Sequence, residues 1–323
     1  MASPRSGFYS GGVSPGAEQQ LQDGSFQFLA IFLEGLPFIF LGTLVSGFLG
    51  TYLPRDAFEK ALPKNRSAAI LVSGLLGLVF PVCECAVVPV IRRMVKQGLP
   101  ASCALAYMLA APIVNPVTLL STYKAFNSWP MAGSRLVMGY LIAVIVALAM
   151  ARVVHSKWLR KSALAHEHDH SHPRSLTAAM HNSLKDLMDV GIYFTIGVVL
   201  TALLKTTLID PSSDFWQGLA ANDLLASSAM MTLAFVLSLC STSDAFIAAN
   251  LASFTVAPQL AFMVFGPMMD AKLIFLYSTV FRWKFIAALA VALFFLTGAF
   301  ALFFEWNLAT NWGPETAPLV DPR

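Results

Sequence analysis

An all-α polytopic membrane protein, made of two homologous halves and eight hydrophobic segments, is the fold class expected of this chain. Composition is the first reason. Of 323 residues, 57% are hydrophobic and 12% charged, with a mean hydropathy of +0.67, which leaves too little polar surface to cover a soluble globule of this size. The second is a set of eight apolar stretches, near 26–50, 67–91, 100–122, 132–154, 186–208, 224–250, 255–280 and 284–306, each close to the ~20 residues a helix needs to cross a bilayer. The third is self-similarity. Glu34 and Asp189 are 155 residues apart, as are Gly42 and Gly197, which lays FLEGLPFIFLG over LMDVGIYFTIG. The same offset lays LAYMLAAPIVN over LAFMVFGPMMD and pairs Pro112 with Pro267 and Asn115 with Asp270, while Cys83 falls opposite Cys240 at an offset of 157. Internal repeats of this kind build many membrane transporters.

Residues 1–25 read as a flexible N-terminal tail, polar and rich in Gly, Ser and Gln, and the apolar run that follows has no small-residue cleavage pattern. The first membrane repeat is 26–155. A polar His-rich linker, 156–184, separates it from the second repeat, 185–308, and 309–323 forms a C-terminal tail. The net charge of +3 is mild and the basic residues gather between apolar runs, so they report orientation and point away from a nucleic-acid partner.

Those charges bear on topology. If all eight stretches cross, the basic loop with Arg55, Lys60, Lys64 and Arg66 and the basic loop with Arg92, Arg93 and Lys96 lie on opposite sides, against the positive-inside rule. A re-entrant segment 67–91 turning at Phe80-Pro81, with a second hairpin turning at Cys240-Ser241-Thr242, puts both basic loops and the linker in the cytoplasm. Three spans and one hairpin per half then give inverted repeats, each with a broken or re-entrant helix carrying a Cys motif.

The stretch Phe80–Pro116 is unlike ordinary membrane helix. It holds Cys83, Glu84 and Cys85 as C-x-C around a carboxylate, and Pro81, Pro112 and Pro116, although each proline removes a backbone donor and a charge costs about 2.5–3.5 kcal/mol at mid-membrane. Thiolates are ligands for soft species such as Cu(I), Zn(II) or trivalent arsenic, so Cys83, Cys85 and Cys240 are candidate substrate ligands if the two tips meet. Glu84, Asp244 and Asp270 are candidates for charge change during transport, as are Glu34 and Asp189 less directly, with Lys272 a neighbour for Asp270. Unwound backbone at Ala111–Pro116, including Asn115, and at Phe265-Gly266-Pro267 is expected to line the same site. His166, His168, His170 and His172 in the linker are candidate metal ligands in an accessory role.

The runs FPVCECAVVPVIRRMVKQGLP and ALAYMLAAPIVNP, with SLCSTSDAFIAANL and LAFMVFGPMMDAK in the second half, resemble the predicted permeases grouped with ArsP, from about residue 26 to 306. That resemblance implies a bacterial inner-membrane, multi-pass permease, and for arsenical members of the family, thiols as the arsenic ligands. On this sequence they would be Cys83 and Cys85, with Cys240 as a third.

The expected function is therefore export of a soft thiophilic solute, such as a trivalent organoarsenical, by a secondary transporter and not an enzyme. No G-x-x-x-x-G-K-[ST] stretch occurs in the chain, so the drive would be a proton gradient or a partner subunit. No cofactor is expected. The partners are the lipid bilayer and the solute, with a homodimer or a second subunit both open. Transport of Zn or Cu assisted by the His-rich linker is the alternative, ahead of a thiol oxidoreductase or a non-transporting partner subunit.

Overall fold

The computed structural model describes residues 15–52, 62–153, 175–208, 223–251 and 254–312. These form twelve helices. The first half holds α1 (Pro15–Tyr52), α2 (Arg66–Val79), α3 (Glu84–Lys96), α4 (Ala101–Ala110), α5 (Pro116–Phe126) and α6 (Trp129–Val153). The second holds α7 (Leu176–Leu208), α8 (Asp223–Leu237), α9 (Ser243–Asn250), α10 (Val256–Met268), α11 (Ala271–Tyr277) and α12 (Trp283–Trp312).

Among the described residues, five stretches are long and apolar enough to cross a bilayer: Gly24–Phe48, Trp129–Arg152, Ala179–Leu203, Val256–Tyr277 and Trp283–Trp306. The other three predicted segments are broken. Residues 67–91 divide at Phe80–Cys83, 100–122 at Ala111–Asn115, and 224–250 at Ser238–Thr242, leaving α2 and α3 with 14 and 13 residues. At ~1.5 Å per residue these arms are only ~20 Å long. The prolines explain where the first two breaks fall, since Pro81, Pro112 and Pro116 cannot donate to a preceding turn. Pro267 sits inside α10, and that chain breaks two residues later, at Met269-Asp270. Three helices overrun the expected boundaries. α1 reaches back to Pro15, α7 to Leu176, and α12 runs on to Trp312, because helix formers such as Ala17-Glu18-Gln19-Gln20 continue the turn where no breaker stops it.

α4 and α10 are buried along their whole faces, from Ser102 to Ala110 and from Ala257 to Met268. They form the two central rods, and the surrounding helices turn Phe26, Leu33, Met188, Ile192 and Phe295 outward, as a lipid-facing surface requires. α12 covers α10 through an edge-on contact of Phe294 with Phe265, ring centres 5.9 Å apart.

α1 pairs with α7, and small residues allow the close approach. Gly35 lies against the ring of Phe194, and Gly47 against Ser183 and Ala179, so the two helices run antiparallel. α3 lies parallel to α1, with Gly42 on Ala86 and the Ser46 hydroxyl oxygen 3.1 Å from the Pro89 carbonyl. A Cβ on Gly42 would stand 2.8 Å from the Ala86 Cα, whereas one on Gly133 would meet nothing within 4 Å. Gly42→Ala is expected to cost about 1–3 kcal/mol by overpacking. Thermal unfolding of the detergent-solubilised protein checks this, with Gly133→Ala, lacking that clash, as the control.

α2 runs alongside α4 in the same direction, Ser73 beside Cys103 and Gly77 beside Ala111. Arg66 starts α2, two turns before the Ser73 that meets Cys103 in the first turn of α4, so α2 and α4 begin at the same end. α3, whose end at Lys96 leads into that same turn, therefore runs back against α2.

Candidate functional site

Each break frees backbone groups in an apolar surrounding, where an unpaired carbonyl costs ~1–3 kcal/mol. Side chains supply partners. The Tyr107 hydroxyl donates to the Phe80 carbonyl at 3.2 Å, Thr118 to the Pro112 carbonyl at 2.9 Å, Tyr277 to the Met268 carbonyl at 2.9 Å, and the Lys272 ammonium to the Ser238 carbonyl at 2.8 Å. Where helix resumes, the sequence-matched pair Asn115 and Asp270 act alike. Asn115 Oδ1 accepts from the Val117 N–H at 2.9 Å, and Asp270 Oδ1 from the Leu273 N–H at 2.7 Å. Pro116 is the first residue of α5, where a missing N–H costs nothing.

Ser238 is the conformationally strained member. Its φ of 47° lies in the left-handed region, which costs a non-glycine residue about 1–2 kcal/mol. It is held from three sides, by Lys272 on its carbonyl, by its own hydroxyl on the Phe235 carbonyl at 3.0 Å, and by Thr201 at 3.4 Å. Cys240 follows two residues on.

The breaks bring the two halves together. Glu84, the first residue of α3, is buried and accepts from the Ser241 N–H at 3.4 Å across the interface. Lys272 Nζ lies 3.4 Å from Glu84 Oε1 and 3.4 Å from Asp270 Oδ2, all three side chains 4% exposed or less. Asp244, in the first turn of α9, is gripped by Arg135 of α6, whose Nη2 reaches both carboxylate oxygens at 2.9 and 2.8 Å and the Ser241 carbonyl at 2.9 Å. Arg135 Nη1 also donates to Thr122 at 2.7 Å. Both acids stand at helix N-termini, where the macrodipole favours negative charge. Both ion pairs join one half to the other.

Cys83, Cys85 and Cys240 line one cavity together with Glu84 and Lys272. All are free thiols. Ile31, Glu34, Gly35 and Phe38 of α1 and Phe194 of α7 close the other wall, around a space of about 10 Å³, room for about one water. Among the described residues no three His, Cys, Asp or Glu side chains are gathered closely enough to hold a metal ion, so the thiols line the space without forming a ready-made cage.

The residues singled out from sequence therefore separate. Cys83, Glu84, Cys85, Cys240 and Glu34 share the cavity, and Asp270 stands behind it on Lys272. Asp244 is engaged by Arg135, and Asn115 is a helix cap. Asp189 pairs with Arg92 at 3.1 Å. Arg92 and Arg93, expected in a loop, lie on α3 with only 15% and 13% of their side chains exposed. His166, His168, His170 and His172 lie outside the described residues. Arg135 was missed, though an arginine inside the apolar run 132–154 is the signal that finds it.

A family model described as "Predicted permease" matches residues 25–306. The chain is 37% identical over 265 residues to the "Putative two-component membrane permease complex subunit" of Streptococcus mutans, covering 80% of this chain and 87% of that protein. It is 33% identical over 267 residues to the UPF0718 protein YcgR of Bacillus subtilis, covering 80% and 89%. Over 136 residues it is 29% identical to the UPF0718 protein YraQ of Escherichia coli, covering 42% and 36%. No solved structure matches. With its apolar helices and these relatives, the protein is a multi-pass protein of the bacterial inner membrane, and the chain belongs to the predicted permease family.

Proposed function

We propose that this permease is a secondary transporter that exports a soft, thiophilic solute, with a trivalent organoarsenical as the leading class. Cys83 and Cys85 bind it, and Cys240 reaches in from the facing half. One observation carries the reading: thiols from both halves line a single cavity beside Glu84 and Lys272. Soft ligands suit soft solutes, and a space for about one water must widen before any solute enters. Movement of one half against the other is the simplest way to widen it.

The same contacts support two inverted repeats, each with a re-entrant hairpin. Arg93 contacts Asp186 at 3.0 Å and Asn182 contacts Thr51 at 3.4 Å, so the end of α3, the end of α1 and the start of α7 meet at one end of the bundle. Arg66, which starts α2 where α4 also begins, is at that end too. Basic residues gathered at one end make it the cytoplasmic one. The relative from Streptococcus mutans is named as a subunit of a two-component complex, which favours a second subunit as partner here.

The test is binding of a trivalent organoarsenical, Zn(II) and Cu(I), each measured separately on purified protein, wild type and Cys83→Ser/Cys85→Ser. Arsenical affinity is expected to fall by more than the ~10–100-fold that loss of a supporting group costs a ligand site. Unchanged affinity removes the thiol site. Zinc or copper binding that survives the double change but disappears on deleting 166–172 would replace it with metal handling through the linker.

A further inference from the structure

We infer that Arg92, Arg93, Asp186, Asp189 and Ser46 form a latch that closes the route from the thiol cavity to the end of the bundle where α3 stops and α7 begins. The inference rests on reading that cavity as the solute site. Three of the helices that line the cavity, α1, α3 and α7, carry the latch. Along α3 it lies eight residues beyond Glu84, along α7 eight residues before Phe194, and along α1 eight residues beyond Phe38, which is ~12 Å on every helix. Between cavity and latch the packing is tight, with Gly42 on Ala86, and just beyond the latch Gly47 lies on Ser183. A solute passes that way only if α3 parts from α1 and α7.

Three polar fastenings across this seam converge on α7. Asp186 Oδ2 accepts from Arg93 Nη2 at 3.0 Å and from the Ser46 hydroxyl at 2.7 Å, and Asp189 Oδ2 pairs with Arg92 Nη2 at 3.1 Å. α1, α3 and α7 thus each contribute. The exposure of the four charged side chains, from 9% for Asp186 to 44% for Asp189, sets the latch apart from the fully buried pairs Lys272–Glu84 and Arg135–Asp244, although Ser46 itself is buried. Water can solvate its charges when it opens, whereas a fully buried charge that loses its partner is left stranded. Arg92 Nε is buried without a hydrogen-bond partner, so this guanidinium retains an unused donor for a second arrangement.

The readout is the rate at which a membrane-impermeant maleimide modifies Cys83, located by mass spectrometry, in vesicles of each orientation. In Arg93→Ala and in Asp186→Asn, labelling from the face nearest Arg93 is expected to rise about tenfold or more. The exchange Arg93→Asp/Asp186→Arg should return it toward the wild-type rate. Ser46→Ala, a milder change on the same carboxylate, gives a smaller rise and serves if the charge variants fail to accumulate. Unchanged labelling, or an equal rise from both faces, overturns the latch. Labelling needs no transported solute, so a latch that fails here leaves the organoarsenical binding result standing. A thiol site that fails in that assay likewise leaves the labelling result readable.

Discussion

Lys272→Met will cost the folded protein about 3–5 kcal/mol, the penalty for removing one partner of a buried ion pair. Glu84 and Asp270 keep 2% and 0% of their side chains exposed and share this one ammonium, so its loss strands two carboxylates. It also strands the Ser238 carbonyl, at the one break whose backbone is already in the left-handed region, for a further ~1–3 kcal/mol. Against a typical total stability of 5–15 kcal/mol, the variant is expected to accumulate poorly and to elute as aggregate in size-exclusion chromatography of the solubilised protein. Lys272→Arg, which keeps the charge, should lose less. Removing one acid alongside it, as in Lys272→Met/Glu84→Gln, should recover part of the loss. A melting profile for Lys272→Met that matches wild type would show that the triad does not hold the halves together.

The second large effect is at Arg135, whose side chain is 1% exposed and whose partner Asp244 is 3% exposed. Asp244→Leu alone leaves a guanidinium buried without its carboxylate and is expected to cost about 3–5 kcal/mol. Arg135→Met/Asp244→Leu removes both charges, and replacement of a buried pair by apolar groups is often neutral or stabilising. The double variant should therefore melt above Asp244→Leu, short of wild type by the Ser241 carbonyl that loses its Arg135 donor. Because Asp244 does not line the thiol cavity, that variant should also bind the same solute with unchanged affinity. A double variant that folds but no longer binds would return Asp244 to the substrate site, where the sequence first placed it.

That difference over Asp244 shows what the sequence conveyed. The C-x-C pair, Glu84 and Cys240 were legible because breakers and polar groups inside apolar runs have few structural excuses, and the 157-residue offset between Cys83 and Cys240 pointed one tip at the other. Asp270 and Lys272 were legible as neighbours two positions apart. Hidden were the pairings across halves. Nothing local to Glu84 says that its cation is Lys272, 188 positions on, and nothing local to Asp244 names Arg135, 109 positions back. Glu34 and Asp189 match in the sequence at an offset of 155, yet one lines the cavity and the other binds Arg92, since a matching sequence position says nothing of the neighbours a side chain meets from the rest of the chain. The roles of Arg92 and Arg93 were misjudged for the same reason. A basic pair near an apolar boundary reads as a loop signal until its acidic partners on α7 are known.

The crossed pairing of charges also governs how the protein is made. Glu84 and Arg135 emerge from the ribosome in the first half, while Lys272 and Asp244 follow 188 and 109 residues later. At ~5–20 residues per second, Glu84 waits about 10–40 s for its counter-ion and Arg135 about 5–20 s, in a membrane that penalises each alone. The first half is thus an obligate intermediate with two unmet charges, and it offers its tip to whichever segment can neutralise them. Until the second half arrives, neither charge has the partner that the folded protein gives it.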